Sequence, residues 1–88
     1  MKEQEVTIIN KSGLHARPAA QFVKLASTFQ SDVKVIYRGK TVNAKSMIDM
    51  MLAAAPQGET IRLQTNGLDE DAALQAMVEL IKQGLNEL

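Results

Sequence analysis

The chain contains a single histidine, His15, within Gly13-Leu14-His15-Ala16-Arg17-Pro18-Ala19. Proline fits a helix only in its first turn, so Pro18 places a helix start close to His15. There the backbone N–H groups lack intrahelical partners and the helix dipole is positive. A lone histidine in a small domain is most often an exposed polar residue with no task. Arg17 argues for more, because a cation at this end is mildly unfavourable, by about 0.3–1 kcal/mol when exposed. An imidazole, a guanidinium and unpaired N–H groups together make a site for an anion. Were the anion a phosphoryl group on His15, neutral imidazole could take it as a nucleophile. The N–H groups of Ala16 and Arg17 and the Arg17 guanidinium could then hold its oxygens. The residues by themselves lead to an anion site at a histidine and name no phosphoryl donor.

Two further features carry chemistry. Ser46-Met47-Ile48-Asp49 fits a capping box, with Ser46 and Asp49 satisfying two orphan donors reciprocally. Met47, Ile48, Met50, Met51 and Leu52 follow on the same short helix, expected to run to about Ala54. They cover too much of its circumference to share one buried face. Adaptable methionine surfaces suit contact with more than one partner.

The surrounding elements read as βαββαβα. Glu5 to Ile9 is rich in β-branched residues and reads as a strand, broken by Asn10-Lys11-Ser12-Gly13. Ala19, Phe22, Val23 and Ala26 lie on one helix face. Val33 to Tyr37 and Lys40 to Asn43 form a hairpin across Arg38-Gly39. Thr60 to Thr65 alternates, with Ile61, Leu63 and Thr65 on one side. Asn66-Gly67 then turns into a last helix whose positive end carries Asp69, Glu70 and Asp71. Its apolar stripe is Leu74, Met77, Val78, Ile81 and Leu85. One antiparallel sheet with the helices packed on one face is the expected α+β architecture, a single domain over residues 1–88.

Composition excludes several classes. No cysteine is present, which removes disulfides, thiolate metal sites and cysteine nucleophiles, and one histidine removes any multi-histidine metal site. Neither metal nor cofactor is expected. Ten basic residues balance ten acidic ones, so no net field draws nucleic acid. Only Phe22, Phe29 and Tyr37 are aromatic, too few and too helical for a sheet that stacks bases. The longest apolar run, Met50 to Ala55, is too short for membrane insertion. No apolar segment follows the first residues as in a signal peptide. A cytoplasmic protein is expected.

The heptapeptide around His15 resembles the active-site signature of the HPr family, the histidine-containing phosphocarriers of the bacterial phosphoenolpyruvate:sugar phosphotransferase system. Gly39-Lys40, Asn43-Ala44-Lys45-Ser46 and Pro56-Gln57-Gly58 are collinear with the family's hairpin, its serine-headed helix and the glycine before its fourth strand. The resemblance implies an open-faced β-sandwich, a four-stranded antiparallel sheet with three helices on one side. It implies that His15 accepts a phosphoryl group on Nδ1 from phosphorylated enzyme I and passes it to a histidine of an enzyme IIA, with Arg17 assisting. The protein would then be a carrier and not an enzyme, usually a monomer. It further implies that Met47, Ile48 and Met51 dock both partners, with Arg17, Ala20 and Lys24 as a basic rim facing acidic surfaces. A serine at position 46 is, in many Gram-positive relatives, the substrate of HPr kinase/phosphorylase. Here Met47-Ile48-Asp49 stands where those relatives tend to have Ile-Met-Gly, and Asp49 would repel a phosphate on Ser46.

Two other readings compete. A carrier of the nitrogen-related phosphotransferase chain would use the same His15 chemistry with different partners. A non-catalytic binding module would need none. A self-contained enzyme is disfavoured because no second base or carboxylate pair accompanies His15.

Overall fold

The computed structural model describes residues 1–86, and alternation along its strands decides which way the sheet faces. Strand β4 (Thr60–Asn66) lies between β1 (Lys2–Thr7) and β2 (Asp32–Tyr37), and β3 (Lys40–Asn43) is the far edge. All neighbours run antiparallel, in the order β1-β4-β2-β3. Register places Val6 opposite Ile61, Val35 opposite both Leu63 and Val42, and Val33 opposite Thr65. All of these are buried. The other face pairs Glu5 with Arg62 and Lys34 with Gln64, and it is largely exposed. An antiparallel sheet with one solvated face is the result, and the three helices cover the other.

Strand β1 departs from expectation. It starts at Lys2 and ends at Thr7, rather than running from Glu5 to Ile9. An edge strand needs only backbone pairing on one side, so its polar first half carried no apolar signal. Ile8 leaves the strand but stays buried, exchanging backbone bonds with Glu59 (2.9 Å) and Gly58 (2.8 Å).

Helix α1 (Ala16–Ala26) buries Pro18, Ala19, Phe22 and Ala26. It packs against α2 (Met47–Ala53) and α3 (Glu70–Lys82). Ser46 caps α2, its hydroxyl accepting the Asp49 N–H at 3.2 Å. The reciprocal half of the expected capping box does not form. The Asp49 carboxylate accepts the Asn43 N–H at 3.1 Å, and the Ser46 N–H goes to the Asn43 carbonyl at 3.0 Å. Aspartate is one methylene shorter than the glutamate such boxes use, and β3 offers a nearer donor.

The C-cap of α2 is Ala54 in the left-handed region, φ 33°. An L-residue there costs roughly 1–2 kcal/mol that glycine avoids. Because Ala54 is exposed, Ala54→Gly should raise stability by about 1 kcal/mol in urea unfolding. A loss of stability would mean the methyl group packs.

Helix α3 buries Ala73, Met77, Val78 and Ile81, while Leu74, expected on this stripe, is only half-buried. Leu85 is buried but lies beyond the helix. Its N–H bonds to Leu80 O and that of Gly84 to Ile81 O, both at 2.9 Å, with φ positive at both residues. These are the two bonds of a Schellman turn, which folds Leu85 back onto the core.

Asp69, expected as a charge for the helix dipole, turns away from α3. Its carboxylate accepts the Ser31 hydroxyl and the N–H groups of Gln30 (2.9 Å) and Ser31 (2.8 Å). The Ser31 hydroxyl first, and then the Gln30 N–H, hold its pKa at about 2, against an ordinary 3.8. A folded-state pKa below the unfolded one contributes stability above pH 3.8, and that contribution is lost as pH falls toward 2. Asp69→Asn should therefore flatten this part of the acid unfolding curve. Identical acid limbs in both proteins would disprove the linkage.

Candidate functional site

The site forms where the segment after β1 crosses the end of the sheet and becomes α1. Gly13 takes φ +62°, and a Cβ there would lie 2.4 Å from the Ala55 carbonyl oxygen and 2.8 Å from Pro56 Cα. Only glycine lets the two backbones approach this closely. The next N–H, of Leu14, donates to that same Ala55 oxygen at 2.8 Å, and the Leu14 side chain is buried. The opposing segment is braced in turn. Gln57 Nε2 donates to Ile9 O at 2.8 Å, and the Glu59 carboxylate accepts from Tyr37 (2.8 Å) and Arg38 (3.0 Å). The Tyr37 hydroxyl, then Arg38, lowers the pKa of Glu59.

His15 follows as the N-cap of α1, with extended backbone (φ −77°, ψ −175°) and an exposed side chain. Its carbonyl accepts the Ala19 N–H at 2.8 Å, while the imidazole makes no capping bond. No acidic residue stands in the first turn. Among the described residues the N–H groups of Ala16 and Arg17 have no acceptor, and Pro18 has no N–H to satisfy. Imidazole, two backbone donors and one guanidinium thus share an exposed helix end whose first turn holds no acidic residue. Chemically, this arrangement can bind and stabilise an anion attached to, or approaching, the imidazole. Among the described residues no group of three or more His, Asp or Glu is placed to hold a metal.

The methionine-rich helix divides sharply. Met50 is fully buried and Met47 is half-buried against the core, while Ile48 (77% exposed), Leu52 (64%) and Met51 (47%) face outward. Ile48 and Met51 therefore lie on the surface as expected, and Met47 contributes only an edge. Leu52 was missing from the expected patch. Its spacing of four from Ile48 was the available signal. Arg17, Ala20 and Lys24 are exposed at helical spacing along α1, which packs on α2.

Ser46 stands apart from His15. The Leu14–Ala55 bond joins the C-terminal end of α2 to the start of α1, whereas Lys45 Nζ reaches Phe29 O (2.8 Å) beyond the end of α1. The two helices run in opposite directions, so the length of α2, roughly 10 Å, separates Ser46 from the histidine loop.

The chain is similar to known proteins over nearly its whole length. Residues 2–83 match the family described as the PTS HPr component phosphorylation site. The phosphocarrier protein HPr of Xylella fastidiosa is 47% identical over 87 residues, covering 99% of this chain and 98% of that protein. Among solved structures, HPr-C-His from Thermoanaerobacter tengcongensis is 45% identical with a TM-score of 0.96, covering 100% of this chain and 99% of the other. An HPr dimer from the same organism is 46% identical with a TM-score of 0.79, covering 99% of this chain and 100% of the other. Among the described residues no helix is long and apolar enough to cross a membrane.

Proposed function

This chain belongs to the HPr family of phosphotransferase-system phosphocarriers, and from that premise we propose that His15 is its phosphoryl acceptor. The observation that carries the proposal is the exposed imidazole at an N-cap with, among the described residues, two unpaired N–H groups, one guanidinium and no acidic residue in the first turn. The lone pair of Nδ1 attacks phosphorus in phosphorylated enzyme I. As the new N–P bond forms, the bond from phosphorus to the donor's histidine nitrogen breaks, and that nitrogen keeps the electron pair. The N–H groups of Ala16 and Arg17, together with the Arg17 guanidinium, stabilise the phosphoryl oxygens during the transfer. The same step in reverse sense delivers the group to a histidine of an enzyme IIA. The chain is a carrier in this cycle, read as a cytoplasmic monomer on its likeness to the HPr family.

Ile48, Met51 and Leu52, with Met47 at the edge, are the apolar surface that both partners cover in turn. Arg17 and Lys24 meet their acidic rims beside Ala20. Met51→Asp should weaken enzyme I binding about tenfold or more without shifting the melting temperature, because Met51 is already half in water. Met50→Ala should instead cost about 2–5 kcal/mol of stability, as expected for a buried methionine. An unchanged enzyme I affinity in Met51→Asp would remove the patch from the interface. Ser46 serves in this reading as a helix cap. A phosphate added there by HPr kinase/phosphorylase would face Asp49 at close range.

The direct test is incubation with phosphoenolpyruvate, Mg²⁺ and catalytic enzyme I, followed by ³¹P NMR at mildly alkaline pH. An acid-labile phosphohistidine resonance is expected. Its absence with both sugar-branch and nitrogen-branch enzyme I would overturn the carrier reading.

A further inference from the structure

We infer that Asn10 is a positioning residue for phosphoryl transfer, its buried amide fixing the backbone from which His15 projects. This role rests on the acceptor reading of His15. Asn10 reads in the sequence as a strand breaker, and a residue that only ends a strand sits in water. Asn10 is instead fully buried. Its Nδ2 donates to the Gly13 carbonyl at 2.8 Å, and its own carbonyl accepts the Gly13 N–H at 3.1 Å. A carbonyl can only accept, so the amide nitrogen must face Gly13.

The consequence follows from what His15 lacks. Its imidazole makes no capping bond, so its place depends on the backbone that carries it. That backbone is held by three bonds in succession: both groups of Gly13 to Asn10, then the Leu14 N–H to Ala55. The Asn10 amide thus adds a buried side-chain bond to the backbone two residues before His15. With it, the imidazole and the first-turn N–H groups stand in fixed relation before the partner arrives, and misplacement of the order of 1 Å can cost a transfer step as much as 10²-fold.

The test is single-turnover phosphorylation by phosphorylated enzyme I at a temperature where every protein is folded. Asn10→Ala and the isosteric Asn10→Asp, which has no donor at neutral pH, should both transfer at least about tenfold slower with enzyme I affinity within about twofold. Val33→Ala serves as the stability control, since Val33 is buried in β2 opposite Thr65 and away from this loop. It should transfer at the unaltered rate. Full-rate transfer by either Asn10 variant, or equal slowing in Val33→Ala, overturns the positioning role alone. An unaltered chain that takes no label overturns the acceptor reading and this role with it. Should both Asn10 variants fail to fold, hydrogen exchange on the unaltered chain decides. Slow exchange of the Gly13 and Leu14 N–H groups, before and after phosphorylation, supports the fixed loop, and fast exchange overturns it.

Discussion

His15→Ala is expected to take up no label from phosphoenolpyruvate and enzyme I, while unfolding at the same temperature as the parent within a degree or two. Both halves follow from the same geometry. The imidazole is exposed and makes no capping bond, so its removal deletes no buried contact and leaves no partner unsatisfied. Substitutions of that kind usually change stability by no more than about 0.5 kcal/mol. The Ala19 N–H is satisfied by the His15 carbonyl, which alanine keeps. The chain has no second histidine to accept the group. The loss of labelling should therefore be complete, with Tm measured on the same samples. A variant that still yields an acid-labile phosphoamidate would place the chemistry elsewhere. One that unfolds would show that the imidazole has a packing role.

Gly13→Ala should be the most damaging single-methyl change near the site, costing about 2–5 kcal/mol. The left-handed backbone contributes about 1–2 kcal/mol of this. Overpacking contributes a further 1–3 kcal/mol or so. The new methyl would meet the Ala55 carbonyl oxygen at 2.4 Å and Pro56 Cα at 2.8 Å, and both are backbone atoms that no rotamer change can move. Displacing Ala55 also pulls away the acceptor of the Leu14 N–H. Transfer should fall with stability, because the segment that presents His15 shifts. Domains commonly have only about 5–15 kcal/mol in total, so the loss should be plain in urea unfolding. Gly39→Ala is the internal control. Gly39 also has positive φ (79°), but nothing lies within 4 Å of its Cβ position, so only the backbone penalty should register. Equal costs at the two positions would contradict the close approach at Gly13.

These two outcomes divide along the line between local and long-range information. His15 and Arg17 were legible because the features that matter there are local. A proline three residues after the histidine fixes where α1 begins, and a helix beginning determines which N–H groups lack partners. The hairpin across Gly39, the Ser46 cap and the buried alternation of Ile61, Leu63 and Thr65 were legible for the same reason. Each depends on residues within a turn or two of one another.

The remainder depended on segments far apart in the chain. Gly13 reads as a turn residue until Ala55 is seen against it. Asp69 reads as a helix charge, and its partners lie 38 and 39 residues away. Asn10 reads as a breaker until its burial is known. On α2 the apolar residues surround the helix, so periodicity could not say that Met50 goes inward and Ile48, Met51 and Leu52 outward. Packing against α1 and β3 decided it. The sequence alone determined the order of elements and the placing of His15 and Arg17 at a helix start, because backbone preference and helix-end electrostatics are written in neighbouring residues. Only the tertiary structure decided how that histidine is held and which apolar residues stay exposed, because those follow from the close packing of distant segments.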